Sequence, residues 1–548
     1  MTLTHTSACL TPLGLFEPAA APLTDLPHAL YQLGRPLFLT RNPAGGLELH
    51  QQGSARLPAS AAAEGLPLLG YAAPLPLAQC GQPRFLTRFG LRYPLLGGSM
   101  AKGISSTALV IALGQAGMLG FFGAAGLSLP QVEQAIDQIQ QALPTQPYGF
   151  NLIHSPNEPE LEQALVDLYQ QRGVRLIEAS AFLALTPALV AYRLRGLRRA
   201  ADGRVEATHR IIAKVSREEV ALPFLSPAPA RLVQQLLEQG RISAEQAELA
   251  ATLPMADALT AEADSGGHTD NRPALALLPT LLALRDRLQQ QYRYAEPVSI
   301  GLGGGIATPQ SVAAAFSLGA DYLVTGSVNQ ACREAGTSAL VRQMLAEARQ
   351  ADIAMAPAAD MFEMGVTVQV LKRGTLFAQR GAKLYDLYRR HASLEEIPAA
   401  ERAKLEKTVF QAPLEQVWQQ TRAFFAERDP RQVERAERDP RHRMALVFRS
   451  YLGQATHWAI AGSAERKVDF QIWCGPAMAA FNSWTEGSPL ALPENRTLVD
   501  VNLNLLLGGA AWLRARQLGP ALGLWLRQQG QALQLAPLSS AQLKEYLA

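Results

Sequence analysis

The sequence predicts an α/β protein whose centre is a (β/α)8 TIM barrel, with an added N-terminal segment and a C-terminal helical lid region. Between about residues 91 and 350, short apolar runs alternate with amphipathic helical stretches, as expected for repeated β-α units around a parallel sheet. Eight such runs occur, each followed by a helical stretch. The length of 548 residues leaves room for further units on both sides of the barrel.

The eight predicted strands end in small or polar residues, which in a barrel would gather at the catalytic face. In chain order they are PLLGG, MLGFFG, YGFNLI, VRLIEAS, HRIIAKVS, DALTAEA, VSIGLGGG and DYLVTGS. The intervening helices, such as LPQVEQAIDQIQQAL and PELEQALVDLYQQRG, carry apolar residues at helical spacing. Residues 217–255 are longer than an ordinary loop and have a helical pattern of their own, so we expect an excursion at the catalytic face.

The segments on either side of the barrel lack its alternating strand and helix pattern. Residues 1–90 are broken by proline and glycine and predict short strands and loops, whereas residues 333–350 predict a helix after the last strand. Residues 351–548 are interpreted as a helical lid and C-terminal region that packs on the barrel, with residues 360–391 as the lid itself. The apolar C-terminal helices suit a homodimer or, equally, a monomer whose barrel they cover. The ERDPR repeats at Glu427 and Glu437 are interpreted as helix ends or solvated turns.

The composition excludes several classes of protein. A hydrophobic fraction of 48% with 18% charged residues predicts a well-packed chain, and a net charge of +3 gives no electrostatic footprint for nucleic acid. The four cysteines, Cys9, Cys80, Cys332 and Cys474, lack the spacing of a zinc site or redox dithiol. We expect no metal, no signal peptide and no membrane span, hence a cytoplasmic protein.

Two glycine-rich segments near the end of the barrel predict a phosphate site. Gly303, Gly304 and Gly305 end the seventh strand, and Gly326 and Ser327 follow the eighth. The loops after these two strands frequently bind phosphate in TIM barrels, because backbone amides and a helix N-terminus meet there. The alternative is a plain pair of turns.

Polar residues follow three other strands. Gly98, Ser99 and Met100 come after the first strand, where small residues would let a flat ring lie against the backbone, although a simple glycine turn explains them equally well. Asn151 and His154 end the third strand. Lys214 ends the fifth, where it could meet a phosphate, a hydroxyl or a ring edge, or form a salt bridge.

The sixth strand ends in EADSGGHTDNRP, residues 262–273. Gly266 and Gly267 have no side chains and directly precede His268. A histidine titrates near neutral pH and can donate or accept a proton there. The alternative is a loop histidine that is hydrogen bonded to Asp264 or Asp270.

These motifs together resemble a known family. GGSM, GFNL, AKVS, SGGH and GGGIATPQSVAAAFSLGADYLVTGS are similar to segments of the nitronate monooxygenase and flavin-dependent enoyl reductase superfamily of FMN-binding barrels. AKVSREEVALPFLSPAP, EMGVTVQVLKRGTLFAQRGAKLYDLYRRH, MALVFRSYLG and KVDFQIWCGPAMAAFN further resemble the PfaD-type proteins, which are trans-acting enoyl reductases of polyunsaturated fatty acid and polyketide synthases.

The resemblance implies a role for each candidate site residue. The flavin ring and ribityl chain would be held by Gly98, Ser99, Met100, Asn151 and Lys214, with Gly266 and Gly267 close by. The phosphate would be bound by Gly304, Gly305, Gly326 and Ser327. His268 would lie over the flavin as the catalytic residue, with His154 in reserve. One departure is the run from Glu262 to Ser265, where many nitronate monooxygenases have Gly-x-Glu-Ala.

The activity implied by the resemblance is reduction of an α,β-unsaturated acyl thioester on an acyl carrier protein, with FMN as cofactor and NADPH as reductant. No Rossmann fingerprint is found, so NADPH would share the open face of the flavin with the substrate. The basic residues Lys372, Arg373, Arg380, Lys383, Arg389 and Arg390 would receive the carrier protein of the synthase complex, or else form a solvated basic face. The alternatives are a nitronate monooxygenase and an FMN-binding docking or isomerase subunit of a synthase complex.

Overall fold

The first strands of the described residues form an antiparallel sheet that packs beside the barrel. The computed structural model describes residues 10–57, 64–156 and 158–547. The sheet has five strands in the order β3-β2-β5-β1-β4. Its elements, and the helices near it, are β1 (Gly14–Pro18), α1 (Leu26–Tyr31), β2 (Leu37–Arg41), β3 (Leu47–His50), β4 (Gly53–Arg56), β5 (Leu66–Ala72) and α2 (Pro83–Phe89).

A closed barrel of eight parallel strands forms the centre of the molecule, as predicted from the sequence. All eight predicted strands are present. They are β6 (Leu95–Gly97), β7 (Leu119–Phe122), β8 (Gly149–Ile153), β9 (Leu176–Ser180), β12 (Arg210–Val215), β13 (Ala258–Glu262), β15 (Ser299–Gly303) and β16 (Leu323–Thr325). Outside the barrel, β10 (Leu197–Arg199) and β11 (Val205–Ala207) form a hairpin before β12, and β14 (Gly267–His268) follows β13.

Helices surround the barrel, and α2 closes its amino-terminal end. Phe85 of α2 stacks on Tyr322 inside the barrel with 4.2 Å between ring centroids. The surrounding helices are α3 (Thr107–Gln115), α4 (Leu129–Ala142), α5 (Pro159–Gln171), α6 (Pro187–Leu194), α7 (Glu218–Leu225), α8 (Ala230–Glu238), α9 (Ala244–Leu249), α10 (Ala274–Tyr292), α11 (Pro309–Ser317), α12 (Ser327–Gln330) and α13 (Ala339–Ala346). The last of these is shorter than the helix predicted over residues 333–350.

The excursion over residues 217–255 is helical, but its expected position at the catalytic face is wrong. Helix α7 first carries the chain back along the barrel, so α8 and α9 lie near the amino-terminal ends of the strands. Helix α9 packs on β10, which precedes β12. The side chain of Gln246 in α9 donates to the carbonyl oxygen of Arg195, just before β10, at 3.0 Å.

The lid segment is partly a β-hairpin, which the interpretation as a helical segment missed. Strands β17 (Ile353–Pro357) and β18 (Thr367–Leu371) pair with each other, and β18 also pairs with β14. Five helices then form a second apolar core together with the hairpin. They are α14 (Phe377–Arg390), α15 (Ala399–Leu405), α16 (Leu414–Arg428), α17 (Pro430–Arg438) and α18 (Pro440–Ala461).

The ERDPR repeats mark two consecutive helix starts, in agreement with their interpretation as helix ends. Asp429 precedes α17 and Asp439 precedes α18, each followed by a proline in the first turn. The Asp439 carboxylate accepts hydrogen bonds from the backbone N–H groups of Arg441 and His442. The acidic residue therefore caps the helix, and proline tolerates the first turn because its missing N–H would have no partner there.

The C-terminal helices pack against the barrel and the N-terminal sheet. Gly508 and Gly509 of α20 leave no room for a Cβ against Pro309 and Val312 of α11. The buried Arg514 side chain donates to backbone carbonyls of residues 29–35. These helices are α19 (Pro476–Thr485), α20 (Leu498–Gln517), α21 (Pro520–Gln528) and α22 (Ser540–Leu547).

The cysteines within the described residues are free thiols. Cys332 and Cys474 are buried and Cys80 is partly buried, all as free thiols, whereas Cys9 lies outside the described residues. Burial raises the pKa of the Cys474 thiol to about 12, which disfavours the reactive thiolate.

In the part of the chain that the structure describes, no helix combines the length and apolar character needed to cross a membrane.

Candidate active site

The loops after the seventh, eighth and first barrel strands are neighbours in space. Strand β16 pairs with β15 on one side and with β6 on the other. The backbone N–H of Gly98, which follows β6, donates to the carbonyl oxygen of Thr325 at 3.0 Å. Barrel closure thus brings the two glycine-rich segments and the GGSM segment to one side of the mouth.

Two glycines at this side face open space. A Cβ at Gly305 or at Gly326 would have no atom of the protein within 4 Å. Gly304 is different, because its φ is +90° and a Cβ there would lie 2.7 Å from the backbone of Ala263. The turn after β15 can therefore approach the loop after β13 only with glycine, and it leaves room beside Gly305 and Gly326 that suits a phosphate group.

Four charged or polar side chains meet at the mouth beside this space. The Lys214 ammonium lies 3.1 Å from Glu262 and 3.9 Å from the buried Glu178. Burial lowers the pKa of Lys214, but the two carboxylates outweigh that effect and raise it above the ordinary value. Ser99 donates to Glu178 through its backbone N–H at 2.9 Å and through its hydroxyl. The salt-bridge alternative for Lys214 is therefore realised in the structure.

Glu178 was missed by the sequence reasoning, although VRLIEAS was identified as a strand. One of its carboxylate oxygens accepts from Ser99, and the other, Oε1, is buried with no hydrogen-bond partner in the described chain. A Cβ built on Gly98 would lie 3.8 Å from this oxygen. An acceptor in this position suits a hydroxyl or N–H of a bound cofactor, because a buried carboxylate oxygen rarely stays without a donor. The residues at the mouth thus fit a flavin nucleotide.

The two residues expected after the third strand have different surroundings. The Asn151 side chain is buried and donates to the carbonyl oxygen of Glu178 at 3.2 Å and to the Ser180 hydroxyl at 3.0 Å. The His154 imidazole lies 3.1 Å from the Glu162 carboxylate and stacks on Phe182. These contacts join His154 to the first turn of α5 and to the loop after β9 rather than to Lys214 or His268.

His268 is held by the lid, and neither expected partner is correct. Its strand β14 pairs with β18, with His268 opposite Val368. The imidazole Nε2 lies 3.1 Å from the Asp360 carboxylate, whereas Asp264 accepts from Asn271 and Asp270 accepts from Ser216. Burial lowers the pKa of His268, but the hydrogen bond and charge of Asp360 raise it above 6.5. With 33% of the side chain exposed, the imidazole remains accessible to a ligand.

The first of the paired glycines before His268 makes room for backbone from a distant segment of the chain. A Cβ at Gly266 would lie 2.9 Å from the backbone nitrogen of Cys474. The Gly475 N–H donates to the Ser327 hydroxyl at 3.2 Å. The segment around Cys474 thereby spans the loops after β13 and β16, a contact between distant parts of the chain that sequence spacing alone could not reveal.

Lys102 is a second residue that the sequence reasoning missed. It follows Met100 in the loop after β6, has a φ of +55°, and donates from its ammonium group to the carbonyl oxygen of Gly453 in α18 at 2.8 Å. Burial lowers the pKa of Lys102 to about 8, with Asp360 opposing and Arg428 reinforcing the shift. The residue thus joins the barrel mouth to the lid helices and can change charge near neutral pH.

Most of the basic residues expected to receive a carrier protein are paired within the chain. Arg380 contacts Asp469, Lys383 contacts Glu401, Arg390 contacts Asp386, and Arg373 lies 3.6 Å from Asp352. Lys372 and Arg389 are exposed. This face of the lid therefore carries less free positive charge than the sequence indicates.

Comparison with known proteins agrees with this fold. A family model described as nitronate monooxygenase matches residues 84–412, which is more than half of the 548 residues. A second model, described as the inserted helical domain of [acyl-carrier-protein] S-malonyltransferase, matches residues 391–470. The chain therefore belongs to the nitronate monooxygenase family.

Its relatives place it among the PfaD-type members of that family. It is 46% identical over 519 residues to a polyunsaturated fatty acid synthase subunit from Thraustochytrium sp., with 93% of this chain and 34% of the relative covered. It is 42% identical to polyketide biosynthesis protein PksE of Bacillus subtilis, with 90% and 62% covered. The crystal structure of the enoyl reductase domain of MlnA from the macrolactin cluster of Bacillus amyloliquefaciens matches with a TM-score of 0.77 and 40% identity, with 80% and 99% covered. The chain thus spans about a third of the Thraustochytrium relative and matches nearly all of a single reductase domain.

Proposed function

We propose that the protein is a trans-acting, FMN-dependent enoyl reductase that uses NADPH to reduce α,β-unsaturated thioesters on an acyl carrier protein, for polyunsaturated fatty acid or polyketide synthesis. The observation that carries the proposal is the 40% identity to the MlnA enoyl reductase domain over 99% of that domain. The similarity includes more than the barrel, because the match covers 80% of this chain.

Two groups of residues at the mouth would bind different parts of the cofactor. Gly304, Gly305, Gly326 and Ser327 would bind the FMN phosphate in the open space beside Gly305 and Gly326. Gly98, Ser99, Met100, Asn151 and Lys214 would hold the ring and ribityl chain, with the free oxygen of Glu178 as an additional acceptor. Held by these residues, FMN would supply the chemistry of hydride transfer between NADPH and the β-carbon of the thioester.

His268 would act as the proton or hydrogen-bond donor to the substrate. The partly exposed imidazole can donate a proton to the α-carbon or a hydrogen bond to the thioester oxygen. Asp360 supports both roles because it raises the pKa of His268 and so keeps the ring protonated closer to neutral pH. His154 is less suited to this role, since its Nδ1 is hydrogen bonded to Glu162 and its ring stacks on Phe182.

The carrier protein is supported as partner by the region that covers the mouth. Residues 391–470 resemble a helical domain of an enzyme that acts with an acyl carrier protein. This region approaches the barrel through a bidentate contact between Arg428 and Glu158, at 2.9 and 3.2 Å, and through Lys102. An acyl chain carried by the partner would enter beside these contacts to reach His268.

The proposal is tested anaerobically with purified protein. The bound flavin is identified by its absorbance and mass, reduced with NADPH, and mixed with a crotonyl carrier-protein thioester while flavin absorbance is followed. His268→Ala is measured in parallel, with His457→Ala, an exposed histidine of α18, as the matched control.

Rapid reoxidation that yields the butyryl thioester, slowed at least about 100-fold in His268→Ala and unchanged in His457→Ala, is the expected result. A flavin that ignores the thioester but reoxidises with oxygen and a nitronate would favour the nitronate monooxygenase that the family model is named for. FMN binding without turnover of either substrate would favour a docking or isomerase role.

A further inference from the structure

Helix α20 reaches the mouth of the barrel although it lies outside the residues that match the nitronate monooxygenase family. The match ends at residue 412, whereas α20 spans Leu498–Gln517. The helix packs on α11 and contacts α12, the short helix that follows the glycine-rich turn after β16. Its buried Asn502 side chain, with 0% exposed surface, points into this contact.

Asn502 closes a ring of three hydrogen bonds. The Thr325 hydroxyl donates to Asn502 Oδ1 at 2.8 Å, and Asn502 Nδ2 donates to Asn329 Oδ1 at 2.9 Å. Asn329 Nδ2 returns to the Thr325 hydroxyl at 2.9 Å. Thr325 and Asn329 are also buried, so water does not replace the bonds of the ring. The Thr325 hydroxyl also lies 3.3 Å from the Leu96 carbonyl oxygen, and Asn502 Nδ2 also donates to the Leu498 carbonyl oxygen at 2.9 Å. Asn502 Oδ1 and Asn329 Oδ1 are the acceptors that only the ring connects to Thr325 and α20.

The ring holds the point at which two cofactor-binding segments meet. Thr325 immediately precedes Gly326, which faces the space proposed for the FMN phosphate. The Thr325 carbonyl oxygen accepts from the N–H of Gly98, in the segment proposed to hold the flavin ring, at 3.0 Å, and from Asn329 at 3.1 Å. A shift of Thr325 would therefore displace both segments.

We propose that Asn502 is a positioning residue for the flavin: it fixes the Thr325–Gly326 turn in the shape that binds the FMN phosphate. The inference rests on the proposed function only for the identity of the cofactor. It assigns to the C-terminal helix, in addition to its packing on the barrel, a part in cofactor retention.

Asn504 provides a matched comparison on the same helix. It is also buried, with 3% exposed surface, and also makes side-chain hydrogen bonds, donating to the Leu538 carbonyl oxygen at 3.0 Å and accepting from the Leu538 N–H at 2.6 Å. These bonds join α20 to the C-terminal segment rather than to the barrel. Replacing Asn504 thus costs comparable buried hydrogen bonds without disturbing Thr325.

The test is FMN binding to the full-length apoprotein, measured by quenching of flavin fluorescence, with folding checked by circular dichroism. Asn502→Leu is expected to raise the Kd for FMN at least about tenfold, because unsatisfied buried partners let the turn move. Asn504→Leu is expected to lower the melting temperature similarly but to change the Kd less than about twofold. Thr325→Val, which removes the hydroxyl at nearly constant volume, should reproduce the effect of Asn502→Leu and serves if that variant does not fold.

The outcomes separate this inference from the proposed function. An unchanged Kd in Asn502→Leu, or in Thr325→Val if the former is unfolded, would overturn the positioning role while leaving the enoyl reductase standing. Equal rises in the Kd of Asn502→Leu and Asn504→Leu would reduce the role of Asn502 to general stability. A wild-type apoprotein that does not bind FMN would overturn the proposed cofactor and the inference with it.

Discussion

The His268 imidazole lies 3.1 Å from the carboxylate of Asp360, 92 positions later in the chain. His268 follows the sixth barrel strand, whereas Asp360 belongs to the loop between the two strands of the lid hairpin. The pairing of β14 with β18 brings the two residues together. The lid thus contributes directly to the protonation state of the proposed catalytic histidine.

Asp360→Asn is expected to lower the pKa of His268, because the variant loses the negative charge that favours the imidazolium form. Since the folded pKa of His268 is raised above the unfolded value, this histidine contributes stability that is present below about pH 6.5 and is lost as pH rises through the folded pKa. The pKa of Asp360 is lowered, so the contribution of the aspartate is lost as pH falls through its own folded pKa. An imidazole NMR titration of both proteins measures the change. Asp270→Asn, in the same loop but bonded to Ser216, is the control; an equal change in both variants would show that Asp360 has no special role.

Lys214→Met is expected to destabilise the apoprotein by about 3–5 kcal/mol, because it leaves the buried Glu178 carboxylate without its nearby cation. Glu262→Gln should cost less, since Glu262 is partly exposed and its removal leaves Lys214 paired with Glu178. Urea denaturation of the flavin-free proteins compares them. A loss for Lys214→Met no larger than that for Glu262→Gln would contradict the importance of the buried carboxylate.

Gly326→Ala is expected to weaken FMN binding by about tenfold or more while changing the stability of the apoprotein by less than about 1 kcal/mol, because the added Cβ enters open space. Flavin fluorescence and thermal melting measure the two quantities. Gly34→Ala, at another position where a Cβ meets no atom within 4 Å, is the control. If Gly326→Ala binds FMN as tightly as the wild type, the phosphate does not occupy this space.

Lys102→Met is expected to remove a pH dependence of stability. The pKa of Lys102 is about 8 in the folded protein, below its ordinary value of 10.5, so folding with a charged Lys102 is disfavoured below pH 8. Between about pH 8 and pH 10 the unfolded chain binds more protons at this residue, and the wild type should gain stability relative to the variant. Urea midpoints at about pH 7 and pH 9.5 test this. Lys372→Met, at an exposed position, controls for loss of a lysine charge, and parallel behaviour of all three proteins would refute the prediction.

The barrel could be predicted because its determinants are local. Each strand is a short apolar run that ends in glycine or polar residues, and each helix has its own apolar face, so all eight strands were identified. The glycine-rich turns after β15 and β16 were identified for the same reason. The N-terminal strands were expected only in general terms, since proline and glycine mark turns but do not give the pairing order.

The hairpin of the lid was missed because β17 is short and rich in alanine and methionine, which also suit helices, and because β18 is a short run flanked by glycine and basic residues. What makes them strands is pairing with each other and with Gly267 and His268, and pairing with distant residues leaves no local pattern. The excursion after β12 was placed at the wrong end of the barrel for a related reason. Its helical pattern gave no indication that α7 first returns the chain to the amino-terminal side.

The sequence by itself determined the barrel, the positions at which its strands end, and therefore the set of glycine and polar residues at one mouth. Only the tertiary structure decided which partners those residues have: Asp360 for His268, Glu262 and Glu178 for Lys214, and Asn502 for Thr325. The physical reason is the separation along the sequence over which each interaction acts. Strand and helix formation follow from neighbours a few positions apart, whereas a buried charge or amide is satisfied by whatever group the folded chain brings within hydrogen-bond distance.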